Sequence, residues 1–305
     1  LRISDEISVL REGRLISSRP AAEHDRENLT HAIAGREVEA AIASPPAPVQ
    51  ARETILAASG LAREPRVRGV DLELRAGEVM GLAGLVGSGR TELARLLFGL
   101  DRPMAGTMTL LGRRYRPRSP FDAIRHGVAM VPEERRSQAL LLGESVLFNV
   151  ALSKATRPAA RSGWLSSGRA REAARRVVEA FGITASSVRQ LVSELSGGNQ
   201  QKLVVGRAVA GHPRLLILDE PTAGVDVGAR AEIYRIIASL AAAGTAVLMI
   251  SSDFGELAIC RRVAVLREGR IRTVIDGGLA SKELLTSLCY AADEDQADED
   301  QGVKP

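Results

Sequence analysis

Leu195-Ser-Gly-Gly-Asn-Gln-Gln-Lys202, followed at short range by Leu215-Leu-Ile-Leu-Asp-Glu220-Pro-Thr222, decides the fold of this chain. A serine ahead of a helix caps its first turn, and two successive glycines keep the backbone there bare enough for close approach. A plain N-cap explains the serine but not the glycine pair. Four consecutive aliphatics then read as a fully buried strand, which carries Asp219 and Glu220 to its tip.

Working outward, Glu78-Val-Met-Gly-Leu-Ala83 reads as a buried strand and Thr91–Phe98 as a helix closed by Gly99. Between them lies Gly84-Leu-Val-Gly-Ser-Gly-Arg-Thr91, with the spacing G-x4-G-basic-T of a phosphate loop. Its glycines let backbone N–H groups converge on phosphates, and the helix N-terminus adds partial positive charge. The nucleotide-binding set is therefore Gly84, Leu85, Val86, Gly87, Ser88, Gly89, Arg90 and Thr91. The Thr91 hydroxyl is placed to ligate Mg²⁺, Asp219 to hold the same ion through water, and Glu220 to orient the attacking water. Position 90 is Arg where such loops carry Lys. Arg keeps the charge, but its planar fork is no compact ammonium between phosphates.

Met108–Leu111, Val128–Val131, Thr245–Ser251 and Val263–Leu266 read as further strands. Residues 145–190 are Ala/Arg-rich and helical, part of a helical subdomain over about 145–212. In Ala229–Leu240, Ile233, Ile236, Ile237 and Leu240 recur at i, i+3, i+4 and i+7, an amphipathic helix. Alternating strands and helices argue an α/β fold with a mostly parallel sheet.

Ile7-Ser-Val-Leu-Arg-Glu-Gly-Arg14 reappears as Val263-Ala-Val-Leu-Arg-Glu-Gly-Arg270, and the register continues through Glu27/Glu283, Leu29/Leu285 and Thr30/Thr286. Residues 1–43 are thus expected to be the tail of a preceding domain of the same type. Ser44-Pro-Pro-Ala-Pro48 lies in a stiff linker, 44–51, and a complete domain is expected over 52–291. The first residue is Leu, which fits a fragment or truncated product of a tandem protein.

The chain of 305 residues is 45% hydrophobic, enough for a sizeable core, and carries a formal charge of +4. That charge is uneven: 293–305 holds a net −5, and 292–305 is expected to be disordered. An aromatic content of 3% leaves no basic–aromatic interleaving for base stacking, so no nucleic-acid partner is expected. Cys260 and Cys289 are the only cysteines and lack metal-site spacing, which fits a reducing compartment. No apolar run approaches the ~20 residues of a membrane span. No secretory signal is visible at the start, so a membrane path, if the protein serves one, belongs to another subunit.

On these motifs residues 52–291 resemble the second ATP-binding cassette of bacterial monosaccharide importers of the ABC type. The Asn-Gln-Gln-Lys continuation after Gly198, the run Gly224-Val-Asp-Val-Gly228, the segment Val131-Pro-Glu-Glu-Arg135 and the Arg90-Thr91 pair all carry the resemblance. It implies an ABC-type nucleotide-binding domain with an antiparallel β subdomain and a helical subdomain. ATP and Mg²⁺ are the implied ligands and ATP hydrolysis the implied activity. It also implies head-to-tail pairing, in which Leu195, Ser196, Gly197, Gly198, Asn199 and Gln200 reach a nucleotide held by a first cassette. Transmembrane permease subunits and, indirectly, a periplasmic sugar-binding protein are the implied further partners. The place implied is the cytoplasmic face of the bacterial plasma membrane.

Three departures fall on this chain's own site. Glu133 stands where the family carries Gln, Ser252 stands at the switch position of a His, and Gly60-Leu-Ala-Arg-Glu64, read as preceding the first strand, lacks the aromatic that stacks on adenine. Glu220, Glu133 and Ser252 are the catalytic positions, and slow turnover is expected, since each positioned group is worth ~10²-fold or more. None of His24, His31, His126 and His212 lies near a motif. A non-hydrolysing scaffold or regulatory half and an inactive gene remnant stay open as alternatives. Ribosomal cassettes carry a long charged linker and DNA-repair cassettes zinc-binding cysteines, neither of which is present.

Overall fold

The computed structural model describes residues 4–11, 14–24, 29, 53–155 and 167–290. The linker 44–51, the acidic stretch 292–305, and Glu27, Thr30 and His31 lie outside the described residues. Near the start, β1 (Glu6–Arg11) and β2 (Arg14–Pro20) form an antiparallel hairpin. An antiparallel sheet of order β4-β3-β6-β7 follows, from β3 (Thr54–Arg63), β4 (Val67–Arg75), β6 (Ala105–Leu110) and β7 (Arg113–Tyr115).

The central sheet has the order β12-β11-β5-β10-β9-β8. Its strands are β5 (Val79–Ala83), β8 (Val128–Val131), β9 (Leu215–Asp219), β10 (Ala246–Ile250), β11 (Arg262–Arg267) and β12 (Arg270–Asp276). All pair in parallel except β12, which returns antiparallel beside β11. Side chains alternate across this sheet, as strand geometry requires. Leu216, Leu218, Val247, Met249, Val263 and Val265 enter one core, and Leu215, Ile217, Leu248, Ile250, Ala264 and Leu266 the other. Both faces being covered explains why these strands read as unbroken aliphatic runs.

The helices are α1 (Arg90–Leu97), α2 (Pro120–Arg125), α3 (Val146–Ala155), α4 (Ser167–Ala180), α5 (Gly197–Val209), α6 (Val227–Ala242) and α7 (Lys282–Tyr290). The helices α3, α4 and α5 pack on one another as the helical subdomain. Asn149, fully buried in α3, binds both the N–H and the C=O of Leu141 and so pins the preceding loop to that helix.

Several expectations shift in detail. Among its described residues the stretch 145–190 is not helical throughout: α3 and α4 account for its helix, and Phe181 to Gln190 is turn, bend and irregular chain. In α6 the buried stripe is Ile233, Tyr234, Ile237 and Ala241, with Ile236 and Leu240 at its edge. Gly60–Arg63 lies inside β3 rather than before the domain's first strand. The two hairpins match at an offset of 256 residues in register as well as sequence. Glu6↔Pro20 corresponds to Arg262↔Asp276, and the irregularity between Val9 and Leu10 to that between Val265 and Leu266. No helix among the described residues is long and apolar enough to cross a membrane.

Candidate functional site

The carboxyl ends of three neighbouring strands bring the predicted residues together. Ile250 pairs with Asp219 across one ladder and with Leu82 across the other, so the tips of β5, β9 and β10 lie side by side. Ligands of open α/β sheets bind outside such strand ends. From β5 the chain enters the loop Gly84–Thr91, and Gly89 caps α1 with φ +105°. A Cβ at Gly89 would stand 2.1 Å from the Arg66 carbonyl oxygen, so only glycine fits. Leu85 is half-buried, and Val86 at the loop tip is 93% exposed.

Three polar atoms at this loop are buried without a hydrogen-bond partner in the protein: Ser88 Oγ, Arg90 Nη1 and Asp219 Oδ2. Buried polar groups are ordinarily satisfied, so an orphaned set around bare backbone fits a polyanion and its metal ion. Burial pushes the Asp219 carboxyl up to about 6, and the charges of Glu133 and Glu220 add to the shift. A hydrogen bond from Thr91 and the charge of Arg90 act in the opposite sense. The Thr91–Asp219 contact puts the two predicted metal ligands together. Among the described residues no cluster of three His, Cys, Asp or Glu could hold an ion.

Glu220 adopts φ +48°, a region a glutamate enters only under constraint. Its N–H donates to Ile250 O at 3.0 Å, and its carboxylate reaches Arg90 Nη1 at 3.5 Å. That pair lacks hydrogen-bond geometry, yet both side chains are largely buried, so the charges are weakly screened. The substituted loop residue thus sits on the very carboxylate expected to orient water. Ser252 is exposed and lines a cavity of about 500 Å³ with Gly84, Leu85, Val86 and Tyr290, so the switch position does face the loop. Glu133 is exposed on the loop after β8. Pro65, Arg66 and Arg68 line the space beside Gly87, and no aromatic stands among them.

The second constellation is the turn ahead of α5. Helix α5 begins at Gly197, directly after its cap Ser196, so both glycines form its first turn. Ser196 Oγ accepts from the Asn199 N–H and from Asn199 Nδ2. Asn199 Oδ1 in turn accepts from the Thr184 N–H. Leu195 and Gln200 differ from their expected outward role: both are buried, and Gln200 Nε2 donates to the Val192 and Leu195 carbonyls. They brace the turn from within, because an aliphatic there fills the core and the amide satisfies its carbonyls. Ser196 is exposed and Gly197 half-exposed, open to an approaching group, whereas Gly198 is buried against α6, where a Cβ would stand 2.6 Å from Ala229 Cβ.

Sequence reasoning missed the wiring behind these motifs. Glu256, buried, accepts from Thr222 Oγ1 and from Ser251 Oγ (2.9 Å) and pairs with Arg230 Nη1 (3.4 Å). Arg135 donates to the carbonyls of Ala223 and Gly224. Both partners lie far off in sequence, so no local signal marks them. Among the described histidines, His126 bonds the Asp122 carbonyl within α2 and its cap.

The chain belongs to the ABC transporter family, whose model matches residues 67–223. It is 46% identical over 271 residues to the ribose import ATP-binding protein RbsA 2 of Rubrobacter xylanophilus, covering 88% of this chain and 52% of that protein. To the ribose import ATP-binding protein RbsA of Burkholderia pseudomallei it is 42% identical, covering 90% of this chain and 53% of the relative. The chain therefore spans about half the length of the curated relatives it matches. The fold is shared with a crystal structure of a nucleotide-free ATP-binding cassette from an ABC transporter. There the TM-score is 0.66 at 21% identity, over 76% of this chain and 95% of that one.

Proposed function

We propose that this chain is the second ATP-binding half of an importer's energising subunit, with a sugar of the ribose class as cargo. In this reading it offers an intact Ser196–Gly198 turn to a nucleotide held by a first cassette and keeps a slow site of its own. The relatives are ribose import ATP-binding proteins by name, and they are about twice as long as the stretch matched here. The hairpin β1–β2, repeated in register as β11–β12, supports residues 1–43 as the end of such a preceding cassette. Residues 44–51 would then be the linker, 52–291 the cassette and 292–305 an acidic tail.

At the chain's own site the backbone of Gly84–Gly89 and Arg90 would hold the triphosphate, and Thr91 and Asp219 the Mg²⁺ ion. A bound Mg²⁺ ion neutralises charge developing on the transferred phosphoryl group. Glu220 would position water, but its rest position against Arg90 has to be given up first. Glu133 and Ser252 offer neither an amide nor an imidazole at their positions, which removes two groups able to orient water or hold a proton. An apolar groove of about 810 Å³, lined by Phe98, Leu100, Ile124, Met130 and Leu152, supports a docking site for transmembrane permease subunits. A sugar-binding protein would then act indirectly, through the permease, with the chain peripheral on the cytoplasmic face of a bacterial membrane.

The observation that carries this reading is the contrast between an open Ser196–Gly197 turn and an own site whose Glu220 is paired with Arg90. The same contrast favours a second reading, a silent half that only scaffolds its partner. ATP hydrolysis by the isolated chain, and by the chain mixed with a first cassette from a ribose-type relative, tests both. Slow turnover alone and strong stimulation on mixing is the expected outcome. No stimulation leaves the scaffold, and vigorous turnover by a lone monomer overturns the division between the sites.

A further inference from the structure

Arg135 follows Glu133 by two residues and opens a π-helical turn, Arg135–Ala139. Its Nη1 donates to Ala223 O at 2.6 Å and its Nη2 to Gly224 O at 3.2 Å, across 88 and 89 residues of sequence. The same guanidinium borders the glycine turn. A Cβ at Gly197 would stand 3.2 Å from Arg135 Nη2 and 3.3 Å from Gly224 O. One side chain therefore joins the loop after Glu220, the segment carrying Glu133 and the first residue of α5.

The loop from Thr222 to Asp226 is fixed at its other points too. Thr222 is bound through Glu256 to Ser251, the neighbour of Ser252. Asp226 caps α6 by accepting from the Ala229 N–H at 2.9 Å, and a Cβ at Gly198 would stand 3.4 Å from its Oδ2. Glu133, whose charge acts on Asp219, and Ser252, which lines a cavity with Gly84–Val86, are thus each one or two residues from a residue tied to the Thr222–Asp226 loop. The anchors differ in kind. Glu256 is a buried carboxylate holding hydroxyls, whereas Arg135 grips two consecutive carbonyls, a task that needs a planar fork with parallel donors. An ammonium could reach one carbonyl but not hold the pair in a fixed orientation. A segment that moved with Glu133 would carry this fork along and shift Gly224 and Gly197 together.

We infer that Arg135 is a positioning residue that couples the Glu133 segment of this chain's own nucleotide site to the Ser196–Gly198 turn offered to the partner cassette. The inference rests on the reading that this turn completes the partner's site. Coupling of this kind is reciprocal: occupancy of the slow site and the geometry of the turn bias one another. Arg135 itself touches no nucleotide in this scheme and acts through Gly197 and the loop carbonyls.

The test uses the full chain mixed with a first cassette, with hydrolysis measured against ATP concentration. Arg135→Ala is expected to lower the stimulated kcat on the order of tenfold, the ordinary scale of coupling between sites, with KM within about twofold. Arg135→Lys is expected not to restore it. Binding of a fluorescent ATP analogue to the chain's own loop and the melting temperature of the Lys variant are expected to stay close to wild type. A brace with no coupling role would instead lower melting temperature, binding and turnover together, and Lys would recover part of each; that result overturns the inference. Gly197→Val runs beside these variants. If it abolishes stimulation while Arg135→Ala leaves kcat within twofold, the coupling role alone fails. If Gly197→Val leaves stimulation intact, the trans reading fails, and the inference with it.

Discussion

The two glycine-led helix starts of this chain, at Gly89 and at Ser196, meet their polar groups in different ways. At Gly89 the helix has no side-chain cap, the backbone is left-handed, and Ser88, Arg90 and Asp219 each keep a buried polar atom without a hydrogen bond. At Ser196 the serine caps the helix, Asn199 ties it to Thr184, and Lys202 anchors α5 to the Gly182 carbonyl and to Glu232 on α6. Among the described residues, Gln200 Oε1 and the Nε of Arg135, whose guanidinium borders the turn, are the atoms left without a partner there. The first is a cradle whose groups await a ligand; the second is a braced surface presented outward. Strain and unmet polarity mark the place where binding energy is to be gained, and satisfied polarity marks a part to be held still.

Substitution at the two starts should break that comparison most sharply. Gly89→Val places a branched side chain at φ +105° against the Arg66 carbonyl, and should weaken nucleotide binding at the chain's own loop by at least about 100-fold. Titration with a fluorescent ATP analogue reads this directly. Gly197→Val meets Arg135 Nη2 and the Gly224 carbonyl at 3.2–3.3 Å, so those neighbours must give slightly, and it should weaken the same titration by no more than about tenfold. Equal loss in both would show that the two starts are not separate functions.

Next in size is the wiring between them. Glu256→Ala strands the hydroxyls of Thr222 and Ser251 and removes one carboxylate partner of Arg230, and should cost about 2–4 kcal/mol in urea unfolding. A loss below about 1 kcal/mol would mean the loop is held by its backbone alone.

Asp219 sharpens the contrast through pH. Its carboxyl is raised to about 6 from an ordinary 3.8, so the unfolded chain ionises first as pH rises. This group's contribution to stability therefore falls between about pH 4 and 6 and stays low above that window. Asp219→Asn should remove that slope and stabilise the ligand-free chain at pH 7 by roughly 1–3 kcal/mol, while weakening Mg²⁺-dependent nucleotide binding. Unfolding curves at pH 4, 5, 6 and 7 check the sign; an unchanged slope would show that Asp219 is not the group responsible.

The smallest effect belongs to the braced start. Ser196→Ala removes the N-cap and should cost about 1 kcal/mol of stability, with partner stimulation falling further than stability does. Parallel melting and mixing assays compare the two; equal, slight losses would reduce Ser196 to a cap.

Much of the site was legible because its parts are short and local. The strand Leu215–Asp219 announced itself by four aliphatics, and the loop Gly84–Thr91 by glycine spacing between a strand and a helix. The glycine pair at 197 and 198 was legible as a turn opening a helix, and it forms the first turn of α5. Gly60–Arg63 read as a lead-in, whereas main-chain pairing with β4 and β6 makes it strand.

By itself, then, the sequence determined the α/β class, the alternation of buried strands and amphipathic helices, the glycine-rich loop between a strand and a helix with its Arg90, and the octamer repeated at an offset of 256 residues. Each is a pattern of neighbours within one element, fixed by backbone sterics and by which side chains avoid water. Only the tertiary structure decided that Arg90 rests on Glu220, that Gly89 lies against Arg66, and that Arg135 and Glu256 hold the loop between the two starts. These are contacts between segments brought together by sheet order, and whether a charge or carbonyl finds its partner across such a distance is set by packing geometry that no local pattern encodes.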